Sequence, residues 1–254
     1  MFNIFNINKT LFNNIQSKGF ANFTDVQKIV IDEKNKNRDL LVSSKTGSGK
    51  TLAYSLSISD EVLNTKIQVN STPSGLIVTP TRELALQVFQ ETLWLFKDTS
   101  LIAVTSIGGM DINKEKNKIS KKFNLLIGTP GRINDHLRKK ILNLSQLSFL
   151  VLDEADEMLD LGFKEDLDSI IQSSPKNTRK LLFSATLPKK IISLANKYQR
   201  NPKKIEVSNQ NIPHSDIVYE TFFINKKDIE NAIFNLLRFY ENKNILIFCS
   251  TRSS

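Results

Sequence analysis

The sequence predicts an α/β protein: a parallel sheet covered by helices on both faces. Three observations carry that expectation. Short apolar runs recur at Leu40–Ser43, Leu76–Thr79, Leu101–Ser106, Leu125–Gly128, Phe149–Leu152 and Leu181–Ser184. Each is continuously hydrophobic rather than alternating, the pattern of strands buried on both faces. Stretches with helical spacing lie between them, for example Glu83–Phe96 and Arg132–Lys139, and helical crossovers make the strands parallel. Polar clusters then follow the runs, at Ser43–Thr51, Pro80–Glu83, Thr129–Arg132, Asp153–Asp156 and Ser184–Thr186. In a parallel sheet these clusters share one edge, beyond the carboxyl ends of the strands, where ligands bind.

The elements follow in order. From Thr10 to Lys18, Leu11, Phe12 and Ile15 fall on one helical face, and Gly19 is a natural stop. Thr24-Asp25-Val26-Gln27 has the form of a capping box, with Thr24 as N-cap and Gln27 three residues on. Asp39–Ser43 reads as a strand and Thr51–Leu56 as the start of a helix. The loop between them is Ser44-Lys45-Thr46-Gly47-Ser48-Gly49-Lys50-Thr51. A strand, a glycine-bearing loop and a helix opening on Gly-Lys-Thr form a phosphate cradle: backbone N–H groups turn inward and the helix N-terminus adds positive potential. Lys50 would reach the β- and γ-phosphates and the Thr51 hydroxyl would hold Mg²⁺. Ser44 stands where the general pattern has its first glycine, so a plain turn before a helix is the competing reading of the loop alone.

Leu150-Val151-Leu152-Asp153-Glu154 is an apolar strand ending in two acids. Beside a phosphate loop, Asp153 suits Mg²⁺ and Glu154 suits the attacking water. The alternative is acidic capping of the next helix. Ser184-Ala185-Thr186 precedes Pro188. Its hydroxyls either cap the following helix or bond to the carboxylates and transmit nucleotide state.

Composition narrows the class. A chain of 254 residues, 40% of them hydrophobic, can bury a sizeable core in one or two domains. One cysteine, Cys249, excludes a disulfide framework and a cysteine zinc site. His136 and His214 are too isolated for a metal site and are expected at the surface. The first residues lack the basic and apolar regions of a signal peptide, and no apolar run is long enough to span a bilayer. A cytoplasmic protein without membrane contact is expected. The net charge of +9 favours a polyanionic partner, although Lys114–Lys122 also reads as a solvated basic helix face. Asn201-Pro202 closes the main region. Val207–Ser215 is polar and reads as a linker. Ile217–Ile224 then alternates like a strand, Lys226–Tyr240 has helical spacing and Ile245–Cys249 reads as a buried strand.

Together these residues resemble the DEAD-box ATP-dependent RNA helicases. Val151–Leu159, containing Asp153-Glu154-Ala155-Asp156, with Gly162-Phe163, is similar to the namesake motif. Ser44–Thr51 is similar to the family's phosphate loop, in which serine at the first position is ordinary. Pro80-Thr81-Arg82-Glu83-Leu84-Ala85, Gly108-Gly109, Thr129-Pro130-Gly131-Arg132 and Ser184-Ala185-Thr186 match further motifs in order. Gly19-Phe20 through Gln27 is similar to the adenine-reading Q motif, with Phe23 and Asp25 in place of commoner prolines, and Phe2 stands at its isolated upstream aromatic.

The resemblance implies a RecA-like ATP-binding domain over residues 1–207, a linker over 208–216 and the start of a second RecA-like domain over 217–254. It implies ATP and Mg²⁺ as cofactors. Gln27 would hydrogen-bond adenine, Phe2 would pack on it, and Phe20 would belong to the same pocket. Lys50, Asp153 and Glu154 would be catalytic. Pro80, Thr81, Arg82, Gly109, Thr129, Pro130, Gly131 and Arg132 would grip RNA through its sugar-phosphate backbone without reading sequence. Asp156, Ser184 and Thr186 would couple the two activities. Ribosome-assembly and RNA-decay complexes are the partners such a relationship suggests. The later second-domain motifs, with their arginine fingers, are absent from the chain. Low turnover by this chain alone is therefore expected, and a nucleotide- and RNA-binding fragment deficient in catalysis is the alternative to an active helicase. An ATPase acting on DNA is disfavoured by the Q-motif match.

Overall fold

The computed structural model describes residues 7–64, 72–109, 112–207, 218, 220–241 and 243–248. Two compact units divide the chain, residues 1–208 and 209–254.

Among the described residues of the first unit, seven strands run parallel: β1 (Leu40–Ser43), β2 (Gly75–Val78), β3 (Ala103–Ser106), β4 (Leu125–Gly128), β5 (Phe149–Leu152), β6 (Arg179–Ser184) and β7 (Lys203–Glu206). Their order is β3-β4-β2-β5-β6-β1-β7. The six expected apolar runs all become strands, and β2, β4, β5 and β6 are buried throughout. β7 was not anticipated. Lys203-Lys204-Ile205-Glu206 buries only Ile205. It is an edge strand, and charged side chains on an edge discourage further pairing.

The helices are α1 (Lys9–Ser17), α2 (Asp25–Val30), α3 (Lys50–Ser57), α4 (Ser59–Asn64), α5 (Arg82–Leu95), α6 (Ile112–Ile119), α7 (Pro130–Arg138), α8 (Ala155–Asp160), α9 (Lys164–Gln172) and α10 (Lys189–Tyr198). They pack on the two faces of the sheet. One hydrophobic layer joins α1, α2, α3 and α5 to the sheet through Ile15, Val26, Tyr54, Val88, Ile77 and Phe183. The other joins α7 to α10 through Ile133, Met158, Ile170, Ile191, Leu126 and Leu150.

The expected local signals are present. Gly19 has φ +81° after α1. Thr24 and Gln27 complete the capping box at α2. Leu41, Leu182 and Leu152 lie level across β1, β6 and β5, so the chain leaves β5 on the same edge as the loop after β1.

The second unit contains a 3₁₀ turn at Lys226–Asp228 and helix α11 (Ile229–Phe239). The strands expected over 217–224 and 245–249 do not form at the described positions 218, 220–224 and 245–248. Ile245, Leu246, Ile247 and Phe248 are exposed. A strand exists by pairing, and among the described residues of this unit there is no strand for them to join. The linker at 208–216, His214 and Cys249 lie outside the described residues.

Candidate functional site

The phosphate-loop residues sit as their spacing predicts. Gly47 and Gly49 have φ +78° and +87°, the left-handed region that glycine adopts without penalty. Gly49 caps α3, so the loop amides and the helix N-terminus converge. The Ser44 and Ser48 hydroxyls lie 2.9 Å apart, and the Ser44 amide donates to the Ser184 carbonyl at 3.1 Å. Lys45 and Thr46 are exposed along the rim. The buried Lys50 ammonium donates to the Ser44 carbonyl at 3.1 Å and lies 3.0 Å from Glu154 Oε1.

The paired acids divide the environment between them. Asp153 is buried and Glu154 is half-buried. Glu154 has φ +52° and ψ +52°, an uncommon conformation for a residue with a side chain, which places it at the turn from β5 into α8. The Asp153 carboxylate accepts from the Tyr54 hydroxyl at 3.1 Å and from the Glu154 amide at 3.0 Å. Burial, then the charge of Glu154, pushes the Asp153 carboxyl up to about 7, against the opposing pull of Lys50. Burial and the charge of Asp153 likewise raise Tyr54.

A divalent cation fits this site. A buried carboxyl held above its usual range is one that an added positive charge would return to the ionised form. No group of three or more His, Cys, Asp or Glu ligands occurs among the described residues. Magnesium commonly keeps several waters and takes only one or two carboxylates, a demand that Asp153 suits. Thr51 and Asp153 line the same cleft and would hold it.

That cleft encloses about 510 Å³. Beyond the loop and the acids it is walled by Lys18, Phe20, Gln27, Gln87, Glu91 and Trp94. Gln27 is tied down at both ends. Its Oε1 accepts from the Thr24 amide at 2.9 Å and its Nε2 donates to the Gly49 carbonyl at 3.1 Å. One amide N–H is left over for a ligand. Phe20 stacks on Trp94 with ring centroids 6.0 Å apart. Tyr54 and Trp94 were not foreseen. Tyr54 is one helical turn beyond Lys50, a spacing that puts both on one face. Trp94 is far from every recognised motif. Phe2 lies outside the described residues.

Asp156 Oδ2 accepts from the Thr186 amide at 3.0 Å and from its hydroxyl at 2.9 Å. The Ser184 hydroxyl donates to the Thr186 carbonyl at 2.6 Å and, against the upward push of burial, also helps hold the Asp156 carboxyl below its usual range. α10 begins without a side-chain cap, so of the two readings of this segment the structure shows contact with a carboxylate.

The strand order splits the edge in two. β5, β6 and β1 end in the acids, Ser184 and the phosphate loop. β3, β4 and β2, adjacent on the other side, end in Gly108-Gly109, Thr129–Arg132 and Pro80–Arg82. Thr81 caps α5 by accepting from the Leu84 amide at 3.2 Å. Pro130 opens α7 directly after Thr129. Arg82 is exposed, and its Nη1 lies 3.1 Å from where a Cβ on Gly109 would stand. These loops hold backbone amides and guanidinium groups, donors suited to phosphate.

His136 corrects an expectation. It is wholly buried rather than at the surface, because it faces Glu115, an acid turned inward from the basic helix α6.

The comparisons agree with one another. The DEAD/DEAH box helicase family pattern matches residues 24–194. The chain is 35% identical over 251 residues to the DEAD-box ATP-dependent RNA helicase RhpA of Helicobacter pylori, covering 99% of this chain and 50% of the relative. It is 34% identical to the ATP-dependent RNA helicase DbpA of Bacillus subtilis, covering 99% and 52%. The chain thus spans about half the length of these curated relatives. A crystal structure of a DEAD box protein from Methanococcus jannaschii shares 34% identity with a TM-score of 0.75, covering 99% of this chain and 67% of the other.

Proposed function

The chain belongs to the DEAD/DEAH box helicase family, and from that membership we propose that it is the nucleotide- and RNA-binding portion of an ATP-dependent RNA helicase. One observation carries the reading: Lys50, Asp153 and Glu154 meet at a single sheet edge, within one cleft.

In this reading the loop amides from Thr46 to Lys50 and the Lys50 ammonium hold the triphosphate. Gln27 hydrogen-bonds the adenine. It also holds the Gly49 carbonyl, so the base-reading residue and the phosphate loop are fixed together. Thr51 and Asp153 would hold Mg²⁺, which when bound would supply positive charge against the phosphates. Glu154 orients the attacking water and accepts its proton. Asp156 and Thr186 link α8 to the end of β6. Arg82, Gly109, Thr129 and Arg132 grip the RNA backbone, so binding is sequence-tolerant and weakens with salt.

We assign residues 1–207 to the ATP-binding domain, 208–216 to a connector and 217–254 to the start of a second domain. A second reading, a binding segment that turns ATP over poorly by itself, accords with the chain spanning half the length of its relatives. Multiple-turnover phosphate release by the 254-residue chain separates the two. The test of the shared reading compares single-stranded RNA with DNA of the same sequence, each with and without a non-hydrolysable ATP analogue and Mg²⁺. Tighter binding of RNA is expected. Equal affinity for DNA, or no binding of either, overturns the reading.

A further inference from the structure

We propose that Glu115, outside every recognised motif, is a positioning residue that holds two nucleic-acid-binding loops together as one grip. The proposal rests on the RNA-binding reading above. Glu115 lies in α6, in a stretch otherwise rich in exposed lysines, yet its side chain is buried. Its Oε1 accepts from the Ile107 amide at 3.0 Å. Ile107 is the residue before the Gly108-Gly109 turn. Glu115 Oε2 accepts from the His136 ring Nε2 at 2.9 Å and lies 3.6 Å from Arg132 Nη1. His136 and Arg132 lie one turn apart in α7, the helix that opens on Thr129-Pro130-Gly131.

One carboxylate therefore ties the end of β3 to the start of α7. The geometry is specific. His136 is fully buried and its Nδ1 has no hydrogen-bond partner. Glu115 is thus the one polar contact that the described structure gives that ring, and a carboxylate can only accept, so Nε2 donates. Arg132 is directed toward the same oxygen atom. Gly109, two residues past Ile107, has φ +80° and stands against Arg82. The arrangement thus extends from α7 through Glu115 and Ile107 to the residue beside Arg82. A buried carboxylate has few other places to go, because an unpaired one is costly.

The test uses two variants of the whole chain. Glu115→Gln keeps an oxygen for the Ile107 amide but loses the charge and turns an N–H toward His136. Glu115→Met keeps the bulk and loses every acceptor. Binding of a single-stranded RNA is measured across a salt series, beside binding of an ATP analogue. The expected result is a fall in RNA affinity of about 3-fold for Gln and about 10-fold for Met, the net scale of one ordinary hydrogen bond. The slope of log affinity against log salt should shrink by about 0.7, one phosphate contact. ATP-analogue affinity should stay within about 2-fold, since that cleft lies on the other half of the edge.

Unchanged RNA affinity and slope in both folded variants overturns the proposal. Parallel loss of RNA and nucleotide binding also overturns it, by showing general core support. If the parent chain binds no RNA, the RNA-binding reading fails and NMR decides the positioning role. Resonance shifts at both Ile107–Gly109 and the Arg132 guanidinium in Glu115→Gln support it, and shifts confined to Ile107 overturn it.

Discussion

The Lys50 ammonium lies 3.0 Å from the Glu154 carboxylate, with only 6% and 13% of the two side chains exposed. A cation this withdrawn is matched to strong anionic partners, and a triphosphate would compete with Glu154 for it. Lys50→Ala leaves the loop amides without that cation. Nucleotide affinity should fall about 100-fold, the upper range for a charged hydrogen bond. Titration with a fluorescent ATP analogue measures this, and an unchanged dissociation constant would contradict the assignment.

Glu154→Gln acts in the opposite sense on the same pair. It releases Lys50 from an ion pair while keeping the side-chain volume. Nucleotide affinity should hold or rise by about 3-fold. Single-turnover phosphate release should fall about 100-fold or more, the usual contribution of a positioned base. Equal release from parent and variant, at a rate above the uncatalysed background, removes Glu154 from that role.

Asp153 makes stability depend on pH. Its carboxyl titrates at about 7 in the folded chain and near 3.9 when unfolded. Between those values the folded state binds more protons, so this group lowers stability as pH rises from about 4 to about 7. Asp153→Asn mimics the protonated form at every pH. In metal-free buffer with a chelator, the melting temperature of the variant should therefore gain on the parent across that window. Each kcal/mol corresponds to about 2–4 °C in a chain of this size. A constant difference from pH 4 to 8 contradicts the burial argument.

Trp94 is the sole tryptophan of the chain and walls the cleft, stacked on Phe20, with the Lys18 ammonium 5.6 Å from its ring. Its emission should change saturably on addition of the ATP analogue with Mg²⁺. The response should be lost in Lys50→Ala and reduced in Phe20→Leu. A silent tryptophan at saturating nucleotide would place the base elsewhere.

Most of the sheet was legible because β1, β2, β4, β5 and β6 are buried on both faces and carry continuous apolar runs, although β6 opens on the buried Arg179 and Lys180. β7 was hidden because an edge strand needs only one buried residue, Ile205. The phosphate loop and the paired acids announce themselves by local spacing. Trp94 and the Glu115–His136 pair do not, since long-range packing brings each to its site. A trace of Glu115 was present: in Lys114–Ile119 the lone acid stands four residues before Ile119, on the same helical face. The strands expected over 217–224 and 245–249 do not form at the described positions there, for the converse reason. Apolar alternation describes a surface that suits pairing, and pairing also needs a neighbour.

The contact between Gln27 and Gly49 yields the sharpest test of the base-to-phosphate link. Gly49 sits at φ +87°, and a Cβ there would stand 2.3 Å from Gln27 Nε2. Gly49→Ala should therefore combine two penalties. The left-handed backbone costs about 1–2 kcal/mol for any side chain. The collision with Gln27 adds to it, because Gln27 is held by Thr24 and by the Gly49 carbonyl. Gln27→Ala removes the obstacle but not the backbone penalty. In a double-mutant cycle followed by chemical denaturation, Gly49→Ala should thus cost less in the Gln27→Ala background, with a coupling of about 1 kcal/mol or more. Nucleotide affinity should drop in both single variants, since each disturbs the loop that Gln27 braces. Strict additivity in stability would mean that the two residues do not constrain each other, and the base-reading segment would then have no mechanical hold on the phosphate cradle.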